Sequence, residues 1–214
     1  MLRTKLLTDH SVPFFGTLTT SRFCMRTRIQ LKKVILQLEK RYEKMDVDHG
    51  FLHTIVGLRI IFLDNGEVKF SMKDHVLDVI DEFPEEVSKS RTTPVGDSIF
   101  QVTSTSPLLG IGKGKLFHSI FAKLLFISRR ARPDIQVPIG FLGTRVTCST
   151  QEDWIKLKHV LEYLKSTIDL TLTLGMDSTA LVTWWVDASY VVHLYMKSQT
   201  GGVMSLGKGA TYSC

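Results

Sequence analysis

The chain has little cysteine and no apolar run long enough to cross a bilayer, and both shortages narrow its class. Its three cysteines, Cys24, Cys148 and Cys214, stand far apart, odd in number and without CxxC spacing. They support neither a disulfide framework nor a zinc site, so reduced thiols are expected. No uninterrupted apolar stretch reaches the roughly 18 residues of a membrane span. The N-terminus also lacks the charged-then-apolar layout and small-residue cleavage site of a secretory signal. The expected location is intracellular, cytoplasmic or nuclear, with no membrane partner. What is present is ordinary for a globular chain of 214 residues: 43% hydrophobic and 22% charged. A net charge of +6 makes a polyanion an admissible partner, because clustered Lys and Arg release counterions from phosphates.

Hydrophobic spacing divides the chain. From Ile29 to Lys44, "IQLKKVILQLEKRYEK" puts Leu31, Val34, Ile35, Leu38 and Tyr42 on one face, which predicts an amphipathic helix. "TIVGLRIIFLDNGEVKFSM" predicts two apolar strands flanking Asp64-Asn65-Gly66, where Asn-Gly supplies the positive φ angles of a tight hairpin. "MKDHVLDVIDEFPEEV" carries Val76, Val79, Ile80 and Phe83 on a helical stripe and stops at Pro84. Residues Ser88 to Lys115 are rich in Ser, Thr, Gly and Pro and read as a connecting loop. "GIGKGK" inside it lacks the preceding strand and helix-opening context of a phosphate cradle, so it reads as linker.

Helices follow at about Leu116 to Ala131, Ile135 to Val146 and Gln151 to Thr167, the last with Trp154, Leu157, Val160, Leu161 and Leu164 on its apolar face. This reads as a compact helical bundle. After Ile168 the period becomes two, and "LTLTL", "LVTWWVDASYVV" and "GGVMSLGKG" read as successive strands.

The order of these pieces resembles the C-terminal part of the reverse transcriptase and the start of ribonuclease H in copia-type retrotransposon polyproteins. The matching words include "IVGLRI", "VKFSM", "TTPV", "AKLLFISRRARPDIQVPIGFLGTRV", "DWIKLKHVLEYLKSTIDLTLTL" and "WWVDASYVVHLYMKSQTGGVMSLGKGATYS". The resemblance covers nearly everything from about Gln37 onward. It implies an α+β fold: a palm-end β-hairpin, a helical thumb and connection bundle, then the incomplete first strands of a ribonuclease H-like fold. The corresponding divisions are 1–28, a frame-shifted or disordered segment; 29–87, palm-end helix, hairpin and helix; 88–167, linker and thumb or connection; and 168–214, truncated ribonuclease H-like strands.

By the same resemblance Asp187 is the first metal-binding carboxylate of the nuclease, with Mg2+ the implied cofactor and the remaining acidic ligands expected past Cys214. Two divalent ions held by several carboxylates can activate water and stabilise a leaving oxygen, which one carboxylate cannot do. Read without the resemblance, an Asp ending an apolar strand is more often a turn or cap residue. The candidate nucleic-acid contacts are Lys69, Arg129, Arg130, Arg132, Lys158, Lys165 and Lys197. Arg129, Arg130 and Arg132 fit a template–primer backbone and equally a helix C-terminal dipole. Lys156, Lys158 and Lys165 fall mostly on the polar side of a helix, where a solvated face is the default. His193 matches a family histidine of open role. Trp184 and Trp185, in an apolar strand, read as core rather than as base-stacking platforms.

The family's Tyr-Val-Asp-Asp, which holds the polymerase metal ions, belongs shortly before the Ile29–Lys44 helix and is absent. Permitted codons for Phe15 to Met25, read one frame over, can spell Trp-Tyr-Val-Asp-Asp-Phe-Lys-Ile-Leu-His. A one-nucleotide slip with return to frame near Arg28 is the resulting hypothesis. The expected product is an inactive, truncated fragment. The alternative is a binding remnant that holds RNA–DNA hybrid or duplex through phosphates, with other segments of the polyprotein as further candidate partners.

Overall fold

The computed structural model describes residues 6–8, 16–17, 20–21, 28–40, 47–96, 99–103, 105–177, 181–190 and 198–214. The chain divides into two compact units, 1–69 and 70–214.

In the first unit β1 (Leu6–Thr8), β2 (Gly16–Thr17) and β3 (Thr20–Ser21) precede α1 (Arg28–Glu39). β2 and β3 pair with each other, and β1 runs parallel to β4 (Val47–His49) with Leu6 opposite Val47. α1 starts one residue before the expected helix region, covers its first eleven positions and ends before Tyr42, which lies outside the described residues. β5 (Leu52–Ile55) and β6 (Leu58–Phe62) form an antiparallel hairpin whose two-residue loop is Val56-Gly57, with φ of 50° and 74°. That loop goes beyond the expected pattern, which has one strand where two stand. The hairpin tip expected at Asp64-Asn65-Gly66 is present. Leu63 donates its N–H to Glu67 O at 2.9 Å, Gly66 donates to Leu63 O at 3.0 Å, and Gly66 takes φ 83°. Asn65 Oδ1 accepts the Glu67 N–H at 3.0 Å, so the turn side chain replaces a backbone acceptor. β7 (Val68–Ser71) follows the turn.

The second unit holds α2 (Lys73–Glu82), α3 (Ile111–Ser128), α4 (Gln136–Gly143) and α5 (Gln151–Ser166). Its core is the apolar stripe of each helix: Phe117, Ile120, Leu124 and Ile127 from α3, Ile139 and Leu142 from α4, Trp154, Leu157, Leu161 and Leu164 from α5. Phe83, just past α2, stacks on Trp154 with ring centroids 4.8 Å apart. α5 starts with a capping box: Thr150 Oγ1 accepts the Asp153 N–H and Asp153 Oδ2 accepts the Thr150 N–H.

α3 corrects the linker reading, because the helix begins at Ile111 and takes in the last residues of "GIGKGK". Two glycines disfavour a helix locally, but Lys113 between them lies 4.3 Å over the Trp154 ring and reaches Glu85 and Gln151. Tertiary contact fixes a turn that propensity alone would not.

Five strands close the chain: β8 (Leu172–Met176), β9 (Thr183–Ser189), β10 (Gln199–Ser205), β11 (Gly207–Lys208) and β12 (Tyr212–Ser213). β11 pairs with β8, and β10 lies between β9 and β12, antiparallel to both. Helices with antiparallel sheets make the chain α+β. No helix among the described residues is long and apolar enough to cross a membrane.

Candidate functional site

Asp187 sits in β9 opposite Gly201 of β10, two residues before the strand ends. Its carboxylate is exposed, and Oδ1 accepts the N–H of Ala188 at 2.9 Å. Among the described residues no group of three or more His, Cys, Asp or Glu side chains is arranged to hold a metal ion. Mg2+ takes six oxygen ligands, several of them waters, so Asp187 could supply one, and no further ligating side chains are grouped with it among the described residues. His193 and Lys197 lie outside the described residues.

The tryptophans beside Asp187 correct the core reading. Trp184 and Trp185 are 53% and 55% exposed, and every residue of β9 is exposed. Apolar composition qualifies a strand for burial, but burial also needs a layer packed on it.

The candidate basic residues separate by environment. Arg132 is buried, 3% exposed, and its guanidinium is committed within the fold. Nε and Nη2 donate to Asp134, Nη1 donates to Thr167 O at 3.0 Å, and Nη2 donates to Thr167 Oγ1 at 2.6 Å. Tyr163 donates its hydroxyl to the same Asp134 at 2.8 Å. Burial, then the bond to Asp134, pushes the Tyr163 phenol above its ordinary value. "RARPD" and "YLKST" are thus joined by one polar clasp between the α3–α4 connection and the end of α5.

Lys158 donates to Glu85 Oε2 at 3.1 Å and Lys165 to Val87 O at 2.7 Å, tying α5 to the segment after α2. Lys69 is half-buried in β7. Arg129 and Arg130, at the end of α3, are exposed. Arg129 Nη1 donates to Ser213 O at 3.2 Å, and Arg130 lies 4.0 Å over the Phe126 ring. Arg129 thus stands at the edge of the C-terminal sheet, whereas Lys158 and Lys165 face a different neighbour.

Sequence reasoning does not single out Glu85. Its carboxylate accepts from Trp154 Nε1 at 2.7 Å, Lys113 at 3.3 Å and Lys158 at 3.1 Å. Burial works to raise this carboxyl, but the donated bonds from Trp154, Lys158 and Lys113 outweigh it and hold it below its ordinary value. The donors come from positions 28 to 73 residues away, so no local spacing signals the hub.

No family model and no solved structure matches the chain. It is similar to a Saccharomyces cerevisiae protein described as a transposon Ty5-1 protein, 28% identical over 178 residues, which is 83% of this chain and 56% of the relative. The chain thus spans about half the length of the curated relative it matches. At that level the transposon kinship read from the sequence stands.

Proposed function

We propose that this chain is a segment of a copia-type retrotransposon reverse transcriptase–ribonuclease H polyprotein that carries no polymerase or nuclease activity by itself. In this reading the 56–71 hairpin is the palm end, the helices from Met72 to Thr167 are thumb and connection, and β9 with β10 opens a ribonuclease H-like sheet. The observation that supports the inactive reading is in the sequence, which lacks Tyr-Val-Asp-Asp and offers Asp187 as the one carboxylate matched to the nuclease site. The likeness to the transposon protein supports the origin.

The test is direct. Purified protein, given magnesium or manganese, should neither extend a primer on an RNA template nor cut the RNA strand of a hybrid. Hybrid cleavage that disappears on Asp187→Asn would overturn the reading. The frame-slip hypothesis has its own test, since the codons of Phe15 to Met25 must spell Tyr-Val-Asp-Asp in the neighbouring frame. A second reading, retention of hybrid or duplex through phosphates, is favoured by exposed Arg129 and Arg130. It predicts hybrid binding that weakens steeply with salt, where a segment without such contacts binds negligibly at physiological salt.

A further inference from the structure

We propose that residues 88–96 form a strap that lifts off α5 as a unit while the helices stay folded, with the Arg91–Glu162 ion pair as its latch. The segment lies along the C-terminal half of α5. Arg91 Nε donates to Glu162 Oε2 at 2.8 Å, and the Arg91 N–H donates to Ser166 Oγ at 3.0 Å. The hydroxyl oxygens of Ser90 and Ser166 lie 3.4 Å apart, and His159 Nε2 donates to Thr93 O at 3.0 Å.

The strap is pinned on both sides and loose between. Before it, Val87 is buried and its carbonyl accepts from Lys165 at 2.7 Å. After it, Ile99 is buried, Phe100 meets the Phe141 ring edge-on at 5.8 Å, and the Thr103 N–H donates to Glu152 at 3.1 Å. No residue from Ser88 to Gly96 is buried, and none belongs to a helix or strand. Lifting this segment therefore gives up hydrogen bonds and little apolar burial, the pattern of a unit that opens well below the free energy of global unfolding.

What lies beneath the strap is polar. His159, Glu162 and Ser166 stand at i, i+3 and i+7, on one face of α5. Of these Glu162 is the buried one, 3% exposed under Arg91. With the strap down, the carboxylate has a guanidinium partner. With the strap up, both charges return to water, so neither is left buried and alone. The apolar stripe of α5, with Trp154, Leu157, Leu161 and Leu164, keeps its packing in both states. Opening thus bares a carboxylate, an imidazole and a hydroxyl on a folded helix. The device is a property of the helical unit and does not depend on the polyprotein origin proposed above.

Trypsin acting on the folded full chain, with fragments identified by mass, reads the opening, because cleavage after Lys89 and Arg91 needs the strap extended and free of α5. Cleavage there should precede cleavage within α3 and α5. Its rate should be nearly independent of urea below the unfolding transition, since lifting the strap exposes little surface. Arg91→Ala should speed cleavage after Lys89 about tenfold, and Glu162→Gln, which keeps an oxygen acceptor without the charge, about threefold. Both variants should keep the urea independence, whereas a purely structural pair would make cleavage follow global unfolding. Ser90→Cys combined with Ser166→Cys should form a disulfide that slows cleavage after Lys89 and Arg91 about tenfold or more, reversed by dithiothreitol. The proposal fails if strap cleavage carries the urea dependence of global unfolding. It fails equally if crosslinked and reduced forms are cut at the same rate, because the segment is then cleaved where it lies. A cysteine pair that does not crosslink under oxidant would place Ser90 away from Ser166 and remove the closed state.

Discussion

Arg132 shows how a residue that reads as a phosphate contact becomes part of the scaffold. A guanidinium presents donors in a fixed fork, and here the fork meets the Asp134 carboxylate on one side and both oxygens of Thr167 on the other. Removing it leaves Asp134 partly buried beside Tyr163 with its charge partner gone. Arg132→Ala should therefore destabilise the helical unit by about 3 kcal/mol. Arg132→Lys should recover little of this, since one ammonium cannot bond Asp134 and Thr167 together. Denaturant unfolding followed by Trp154 fluorescence measures both, and a loss under about 0.5 kcal/mol for Arg132→Ala would show that the clasp is not structural. Glu85 makes a prediction in pH. Its carboxyl is held below the ordinary value of 4.5 in the folded chain, so the unfolded chain takes up the proton first. The stabilisation it gives is present above pH 4.5 and is lost as pH falls through the folded value. Glu85 is 39% exposed on its side chain, and solvent screening keeps the effect small. Glu85→Gln should flatten the acid limb of the stability profile while retaining an acceptor for Trp154. An unchanged acid limb would place the pH dependence in other groups, of which Glu152, lowered by bonds from Thr103 and Lys156 against its burial, is one.

Elements were legible in the sequence where local chemistry and tertiary structure agree. Asp64-Asn65-Gly66 is readable because Asn-Gly favours the backbone that the turn adopts. Val56-Gly57 is an equally tight turn and is hidden, since valine is the residue type least expected at φ 50°. The start of α3 is hidden for the opposite reason, as its glycines suggest a loop and only Glu85, Gln151 and Trp154 hold Lys113 in a helix. At the candidate site, the position of Asp187 in a strand followed from period-two alternation. The exposure of Trp184 and Trp185 did not, because a strand's sequence carries no record of whether a second layer covers it. Val56 also supplies a test. A β-branched residue in the left-handed region stores strain, and its side chain is 73% exposed with little packing to lose. Val56→Asn should raise stability by about 1 kcal/mol, measured as a higher denaturant midpoint at unchanged slope. A decrease would mean that Val56 makes contacts worth more than its backbone strain.

For the molecule as a whole, the net charge of +6 overstates its capacity to hold a phosphate backbone. Several cations are occupied: Arg132 by Asp134 and Thr167, Lys158 by Glu85, Lys123 by Glu82, Lys73 by Asp169 and Arg145 by Asp153. Moving phosphates onto such groups would exchange one anion for another at a desolvation cost, with little counterion release to drive it. Arg129 and Arg130 differ, since the contacts shown for them are a carbonyl and the face of a ring. Each phosphate neutralised on a duplex contributes about 0.9 to the salt slope, so hybrid retention through these two predicts a plot of log K against log salt with a slope of about −1.8. Titrating hybrid binding with potassium chloride measures it, and Arg129→Ala should reduce the slope by about 0.9. A slope steeper than about −4 would require most of the basic surface to engage the strand. The affinity would then come from diffuse charge rather than from these two arginines.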